Sequence, residues 1–447
     1  MTISTNHVTN GRATSGEPVD PVGRVPQLMI VISTLSTALE YYDFIIFAFF
    51  VKPIAALFFP PAIPQWIAEL QTFGIFAAAY VARPLGGIVL AHYGDIFGRK
   101  QTFMLTVQLM VMSSFGIAVM PTYSSIGIAA PLLLLLLRVV QGAAIGGELP
   151  GAWTFVTEHV PPNRIGLACG VMNSGVALGI LLGSLTTVAV NAGLTQADIQ
   201  NYGWRLPFFI GGGAGLVSLF LRRYLAETPI FRALQHRNGV AARLPVGIVL
   251  REHPIGVMLS MALGWLLAAS NIVLFLMTPT LLQTVYHLPA EMALQANTVA
   301  TVGLLCGGLA AGPIIDWMGG GRFLITGSVL LGLITYLLFS QLAAHPGWLL
   351  PLYTLVGLAA GVIVAVPYVM VDSFPSAVRF TGVSFSYNLA WAIFGGLTPI
   401  VVIFGLRFDP MAHLHYLLIV DAVGVLTGLV VVALQPAQLR LDSSSAC

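Results

Sequence analysis

Two carboxylates, Glu40 and Asp43, stand in the run LEYYDFIIFAFF (residues 39–50), inside an apolar stretch from about Gln27 to Val51. Holding one carboxylate at the centre of a membrane-spanning helix costs ~2.5–3.5 kcal/mol, so two of them need a purpose. At 100° per residue they lie about 60° apart, on one helix face. A second polar set, Arg138, Gln141 and Glu148, sits in RVVQGAAIGGE. Together with Ile145 it occupies an arc of about 80°. With a rise of ~1.5 Å per residue, Glu40 and Arg138 reach similar depths from opposite ends, ~20 Å and ~18 Å in. Such groups can pair as ions, grip an anion through the planar donors of arginine, or take up and release a proton. The expectation is that Glu40 or Asp43 carries the proton, Asp43 being favoured with Glu40 then the partner of Arg138, and that Arg138 with Gln141 holds an anionic substrate group. The bland alternative is a structural ion pair.

Further polar residues fall in apolar segments. Tyr42, Asn271, Tyr387, Asn388 and Trp391 are candidates for a substrate cavity. For each, ordinary interhelical hydrogen bonding or aromatic packing is the competing role, as it is for Asn173 and Ser174. Arg83, just before PLGG, reads first as an anchor to nearby carbonyls or acids, or as a snorkelling side chain, and second as a substrate contact. Asp421 receives no role.

Only a membrane fold positions these groups. The 447 residues are 57% hydrophobic and 8% charged, with mean hydropathy +0.89. A soluble domain carries roughly 25% charged residues. The apolar runs are near-continuous over ~20 residues, which predicts helices rather than a barrel. Twelve are expected, near 27–51, 66–91, 101–120, 126–155, 164–191, 203–222, 254–284, 292–315, 322–343, 348–371, 380–405 and 413–435. The polar N-terminus 1–26 reads as disordered and cytoplasmic. Two six-helix bundles, 27–222 and 254–435, follow, joined by an Arg-rich linker 223–253 and ending in a tail, 436–447. With the N-terminus inside, fourteen of the nineteen basic residues fall on the cytoplasmic side, and only Lys52, Arg205 and Arg407 on the other. That asymmetry predicts both termini cytoplasmic.

Other chemistries find no support. No P-loop, zinc-protease or nucleophile-elbow motif occurs, so no enzyme, cofactor or metal is expected. His413 and His415 lie two apart on nearly opposite faces, a poor metal-ligand spacing. Cys169, Cys306 and Cys447 show no disulfide or redox pattern. GGGAG (211–215) lies inside an apolar span, where close helix packing explains it better than a dinucleotide site.

The two halves resemble each other at their loops. Asp95 and Gly98 in AHYGDIFGRK have counterparts Asp316 and Gly319 in GPIIDWMGGGR. Glu158, Pro161 and Arg164 are matched by Asp372, Pro375 and Arg379. LAHYGDIFGRK resembles the loop motif of the major facilitator superfamily, Gly-x-x-x-Asp-Arg-x-Gly-Arg-Lys, with Ala91 and Ile96 replacing two of its residues. EYYDF, ARPLGGIVLAHYGD, RVVQGAAIGGE and YNLAWAIFGGLTP narrow the likeness to the metabolite:proton symporter branch, although Leu149 and Pro150 stand where that branch has a second glycine pair. The resemblance implies a monomeric carrier in a bacterial cytoplasmic membrane. It would import a small organic acid or zwitterionic osmolyte with protons by alternating access. Its partners would be substrate, protons and lipid, with no nucleic acid. An exporter, an uncoupled facilitator and a transport-dead ligand sensor are the alternatives. Asp95, Arg99, Glu158, Arg164, Asp316, Asp372 and Arg379 are expected to latch the cytoplasmic face through charge pairs.

Overall fold

A computed structural model describes residues 24–223 and 245–444. The N-terminal segment 1–23, linker residues 224–244 and the last three residues lie outside that range.

Among the described residues twelve helices are long and apolar enough to cross a membrane. The first half holds Ile30–Phe49, Gly74–Gly94, Lys100–Val119, Ala129–Thr157, Pro162–Gly193 and Gly203–Arg222. The second holds Pro254–Thr284, Glu291–Met318, Gly320–Leu342, Pro346–Asp372, Arg379–Gly405 and Ala412–Leu434. These are called the first to twelfth spans. Each coincides with an expected segment within a few residues. The twelfth helix overruns most, continuing to Ser444, and the second continues to Phe97, because residues 92–97 are polar enough to leave the apolar window yet still bond within the helix.

The repeat seen in the loops recurs in the packing. In the first half the tightest neighbours are spans one and five, two and four, and three and six. In the second they are seven and eleven, eight and ten, and nine and twelve, the same pairs displaced by six. The seam obeys the same symmetry, since span five packs on eight and span two on eleven. Two glycines make the repeated loops possible. Gly98 (φ 111°) and Gly319 (φ 85°) end one helix and begin the next in a conformation that side chains disfavour. Their N–H groups close the preceding helices on Gly94 and Ile315 carbonyls.

Lipid-facing and seam-facing residues separate cleanly on the second span. Val81, Leu85 and Val89 are 66–69% exposed, a stripe at spacing four that meets acyl chains. Arg83, about 200° round from Val81, is only 2% exposed and turns toward the other half.

Candidate functional site

The polar residues of the first span divide between two clusters, and sequence depth alone did not foretell the division. Asp43 faces spans three, four and six. Ser114 donates to its Oδ2, as does Gln141 Nε2 at 2.7 Å. Gln141 in turn accepts from Arg138 Nη1 through its Oε1, so the amide relays between the guanidinium and the carboxylate. Arg138 itself is fully buried within the first half, with its guanidinium carbon 4.7 Å from the Phe44 ring centroid, 4.4 Å from Phe47 and 5.4 Å from Phe76. Desolvated cation–π contacts of this kind are worth about 2 kcal/mol or more.

Gly211 on span six explains the GGGAG run. A Cβ there would run into Asp43 Oδ1, whereas one at Gly213 would meet nothing within 4 Å. Gly211→Ala should therefore cost about 1–3 kcal/mol and lower the melting temperature of detergent-solubilised protein. Gly213→Ala should melt like the parent; equal behaviour of the two variants would remove the packing account.

Glu40 does not pair with Arg138. Its Oε1 accepts from Arg222 Nη2 at 2.7 Å and from Ser218 Oγ at 3.1 Å. The same Arg222 nitrogen donates to Glu148 Oε1, and Thr106 donates to Glu148 Oε2. All three charged groups are nearly inaccessible, Glu40 at 3%, Glu148 at 4% and Arg222 at 2%. The correction has a geometric cause. Sixty degrees and one turn separate Glu40 from Asp43, enough to point them at different neighbours. Arg222, at the very end of span six, reads in sequence as a topology signal rather than as a partner for Glu148.

The second basic group within the spans, Arg83, occupies the seam. Its guanidinium carbon lies 5.9 Å from the Phe44 centroid and 5.3 Å from Tyr80 in the first half. From the second half, Tyr387 approaches to 5.7 Å and Trp391 to 5.3 Å. Tyr80 and Trp391 stack at 5.8 Å, closing the cage across the two halves. The Tyr41 hydroxyl lies beside both Arg83 and Tyr387. Arg83 Nε and Nη2 are buried without a hydrogen-bond partner. Anchoring to carbonyls or acids, the first expectation for Arg83, does not describe this environment.

The remaining candidates are placed as follows. Tyr42 turns into the first half, its hydroxyl donating to the Pro207 carbonyl at 3.2 Å; its neighbour Tyr41, 100° round, is the one at the seam. Asn388 crosses the seam, its Nδ2 donating to Gly146 O at 2.6 Å, and Ser384 donates to Gly87 and Gly146 carbonyls at 3.2 Å. Asn271 is half-buried and donates to Leu267 O at 2.9 Å. Asn271 and Trp391 each begin a widened π-helical stretch, Asn271–Met277 and Trp391–Gly395. Such irregularities often mark functional positions. Ser174 bonds across the seam to Leu305 O at 3.1 Å.

At the end of the bundle rich in basic residues, the halves are joined by named contacts. Asp316 accepts from Gly166 N at 2.6 Å and Leu167 N at 2.9 Å. It thus caps the fifth span's helix from the opposite half, where Arg164 supplies no side-chain cap. Arg379 lies 3.6 Å from Glu158, also across the seam. Arg164 and Asp372 are exposed. The side chains of Asp95 and Arg99 lie outside those described. Of the two histidines, His413 is buried against Tyr286, while exposed His415 pairs with Asp409 at 2.6 Å.

Comparison with known proteins comes to the same architecture. The Major Facilitator Superfamily family model matches residues 35–434. The Escherichia coli (strain K12) proline/betaine transporter is 29% identical over 418 residues, 89% of this chain and 82% of its own. The glycine betaine/proline/ectoine/pipecolic acid transporter OusA of Dickeya dadantii (strain 3937) is 29% identical over 423 residues, 90% of this chain and 82% of its own. Among solved structures, the proton:xylose symporter XylE bound to 6-bromo-6-deoxy-D-glucose superposes with TM-score 0.75 at 18% identity, covering 90% of this chain and 94% of that one.

Proposed function

Because the chain belongs to the Major Facilitator Superfamily and is a multi-pass membrane transporter, we propose that it imports a small zwitterion bearing a carboxylate and an ammonium group, together with protons, by alternating access. The caged Arg83 carries this reading. A buried guanidinium with two orphaned N–H-bearing nitrogens is a receptor for a carboxylate, which its planar fork meets at two points. The rings that now face the guanidinium offer π faces to a ligand cation once the carboxylate has neutralised Arg83. Because Tyr387 and Trp391 come from one half and Phe44 and Tyr80 from the other, a bound ligand touches both bodies whose rocking moves it. The names of the two relatives, transporters of proline and betaines, agree with such a ligand.

In this reading Asp316, Glu158 and Arg379 latch the cytoplasmic face, both termini are inside, and the carrier works as a monomer. Asp43, held by Ser114 and Gln141 beside Arg138, is a rigid polar core of the first half rather than the substrate site. A small organic acid is the second reading, favoured by the guanidinium pair Arg83 and Arg138, each beside Phe44.

Reconstituted protein tests this. One pH unit across the bilayer is worth about 1.4 kcal/mol per proton, so a one-proton symporter should concentrate glycine betaine or L-proline about tenfold from an acidic exterior. Zwitterion uptake with a proton moves net charge and should accelerate when the lumen is made electrically negative. Equilibration without accumulation would identify a facilitator, and binding without flux a sensor. Uptake of dicarboxylates alone would favour the organic-acid reading.

A further inference from the structure

The geometry points to a single proton shared between Glu40 and Glu148 as the coupling proton of this carrier, with Arg222 holding the pair together. This deepens the proposed proton-coupled import and rests on it only for the use to which the proton is put.

The first observation is that two carboxylates meet on one nitrogen. Arg222 Nη2 donates to Oε1 of both Glu40 and Glu148, so the two carboxyls share one donor nitrogen. One guanidinium balances only one of two carboxylates held on the same nitrogen, so in a site this dry a proton taken up on either relieves the remaining negative charge. The remaining contacts are compatible with either member holding it. Ser218 faces Glu40 and Thr106 faces Glu148, and each hydroxyl donates to a carboxylate oxygen or rotates to accept from an acid. Among the described charged side chains, Glu40 from span one, Glu148 from span four and Arg222 from span six are those that meet here. Asp43, one turn away, faces the Ser114 and Gln141 cluster instead.

The second observation is a route. A cavity of about 10 Å³ adjoins the pair, lined by Thr37, Glu40, Tyr41, Ile145, Glu148 and Leu149. That is room for about one water. A hydronium reaching it would give its proton to a carboxylate oxygen, forming the O–H and leaving water; release runs the same step backwards. The walls it presents are apolar, so a carboxylate oxygen meets water there only when the lining side chains move.

The third observation ties proton to substrate. Tyr41 lines this cavity and its hydroxyl lies beside Arg83 and Tyr387 in the aromatic cage. One side chain therefore borders both sites. A carboxylate arriving at Arg83 competes with the Tyr41 hydroxyl, and its displacement changes what closes the acids' cavity. Substrate occupancy and access to the proton site are thereby linked.

Infrared difference spectroscopy on the purified, substrate-free protein tests the shared proton directly. A carboxylic-acid C=O band that shifts in D2O should be present in the parent and vanish in both Glu40→Gln and Glu148→Gln. A band that survives both substitutions overturns the proposal, whatever the transported molecule. Thermal melting establishes that each variant is folded, and should either fail, Glu40→Asp in its place should shift the band by altering the contact; an unmoved band counts against the pair. The use of the proton is tested by glycine betaine flux in proteoliposomes. Glu148→Gln should abolish accumulation driven by a pH gradient while leaving exchange of internal for external glycine betaine within about threefold of the parent. Retained accumulation overturns the assignment of the coupling proton. Absence of any proton movement in the parent itself would instead overturn the symport reading and leave the infrared result standing.

Discussion

Arg83→Lys is expected to weaken binding of glycine betaine or L-proline by about ten- to a hundredfold, while the protein melts within a few degrees of the parent. The figure follows from losing one or two charge-assisted hydrogen bonds, about 1.5–3 kcal/mol. Lysine retains the positive charge, so the loss isolates the planar fork rather than electrostatics in general. The cage makes the test discriminating, because among the described residues no acid pairs with Arg83 and its removal leaves no bare charge behind. Arg138→Lys supplies the contrast. That guanidinium is enclosed by Phe44, Phe47 and Phe76 and tied to Gln141, so its replacement is expected to lower the melting temperature with little change in the ligand affinity of the folded fraction. Equilibrium binding of radiolabelled ligand, read beside a thermal melt, separates the two. Undiminished affinity in Arg83→Lys would move the substrate site elsewhere, and an affinity loss confined to Arg138→Lys would return it to the fourth span.

Arg222→Met should be the most destabilising single change among the charged residues. It removes the cation from between Glu40 and Glu148, and breaking a buried ion pair by deleting one partner costs about 3–5 kcal/mol. Folded yield and melting temperature in detergent should both fall steeply. Adding Glu40→Gln and Glu148→Gln to Arg222→Met should restore much of the loss, because neutral amides satisfy each other and Ser218 and Thr106 without a cation. That triple variant should fold, bind ligand and fail to accumulate it against a gradient. If Arg222→Met melts like the parent, the guanidinium does not hold the acids. If the triple variant is no better than the single one, some contact of Arg222 other than its carboxylate bonds supplies the stability.

The seam contacts give these local sites a mechanical context. Asp316 capping the fifth span from the other half joins the bodies through backbone N–H groups, which cannot rearrange as a surface ion pair does. Glu158 and Arg379, at 3.6 Å, add a weaker tie. Ser384 and Asn388 grip the carbonyls of Gly87 and Gly146; a Cβ at Gly87 would fall 2.6 Å from Asn388 Nδ2, whereas one at Gly146 would strike the Arg83 carbonyl of span two. Rocking the halves apart at this end must break all three sets together.

The sequence by itself determined the solvent, the number of spans, the internal duplication and the short roll of side chains able to do chemistry. Each of these depends on local composition or on periodicity along one helix, where a bilayer admits few solutions. The loop glycines, Gly98 and Gly319, were also legible, because a repeated Asp-x-x-Gly at a span boundary is a local backbone requirement. Only the tertiary structure decided who pairs with whom. Helical period fixes the face and depth of Glu40, Asp43 and Arg138 on their own axes, but leaves free the rotation of each helix against its neighbours, and 100° of that rotation exchanges Tyr41 for Tyr42. Hence Arg222, at a span's end, took Glu40 and Glu148; Gln141 came between Arg138 and Asp43; and Arg83 met four aromatic rings drawn from two halves of the chain.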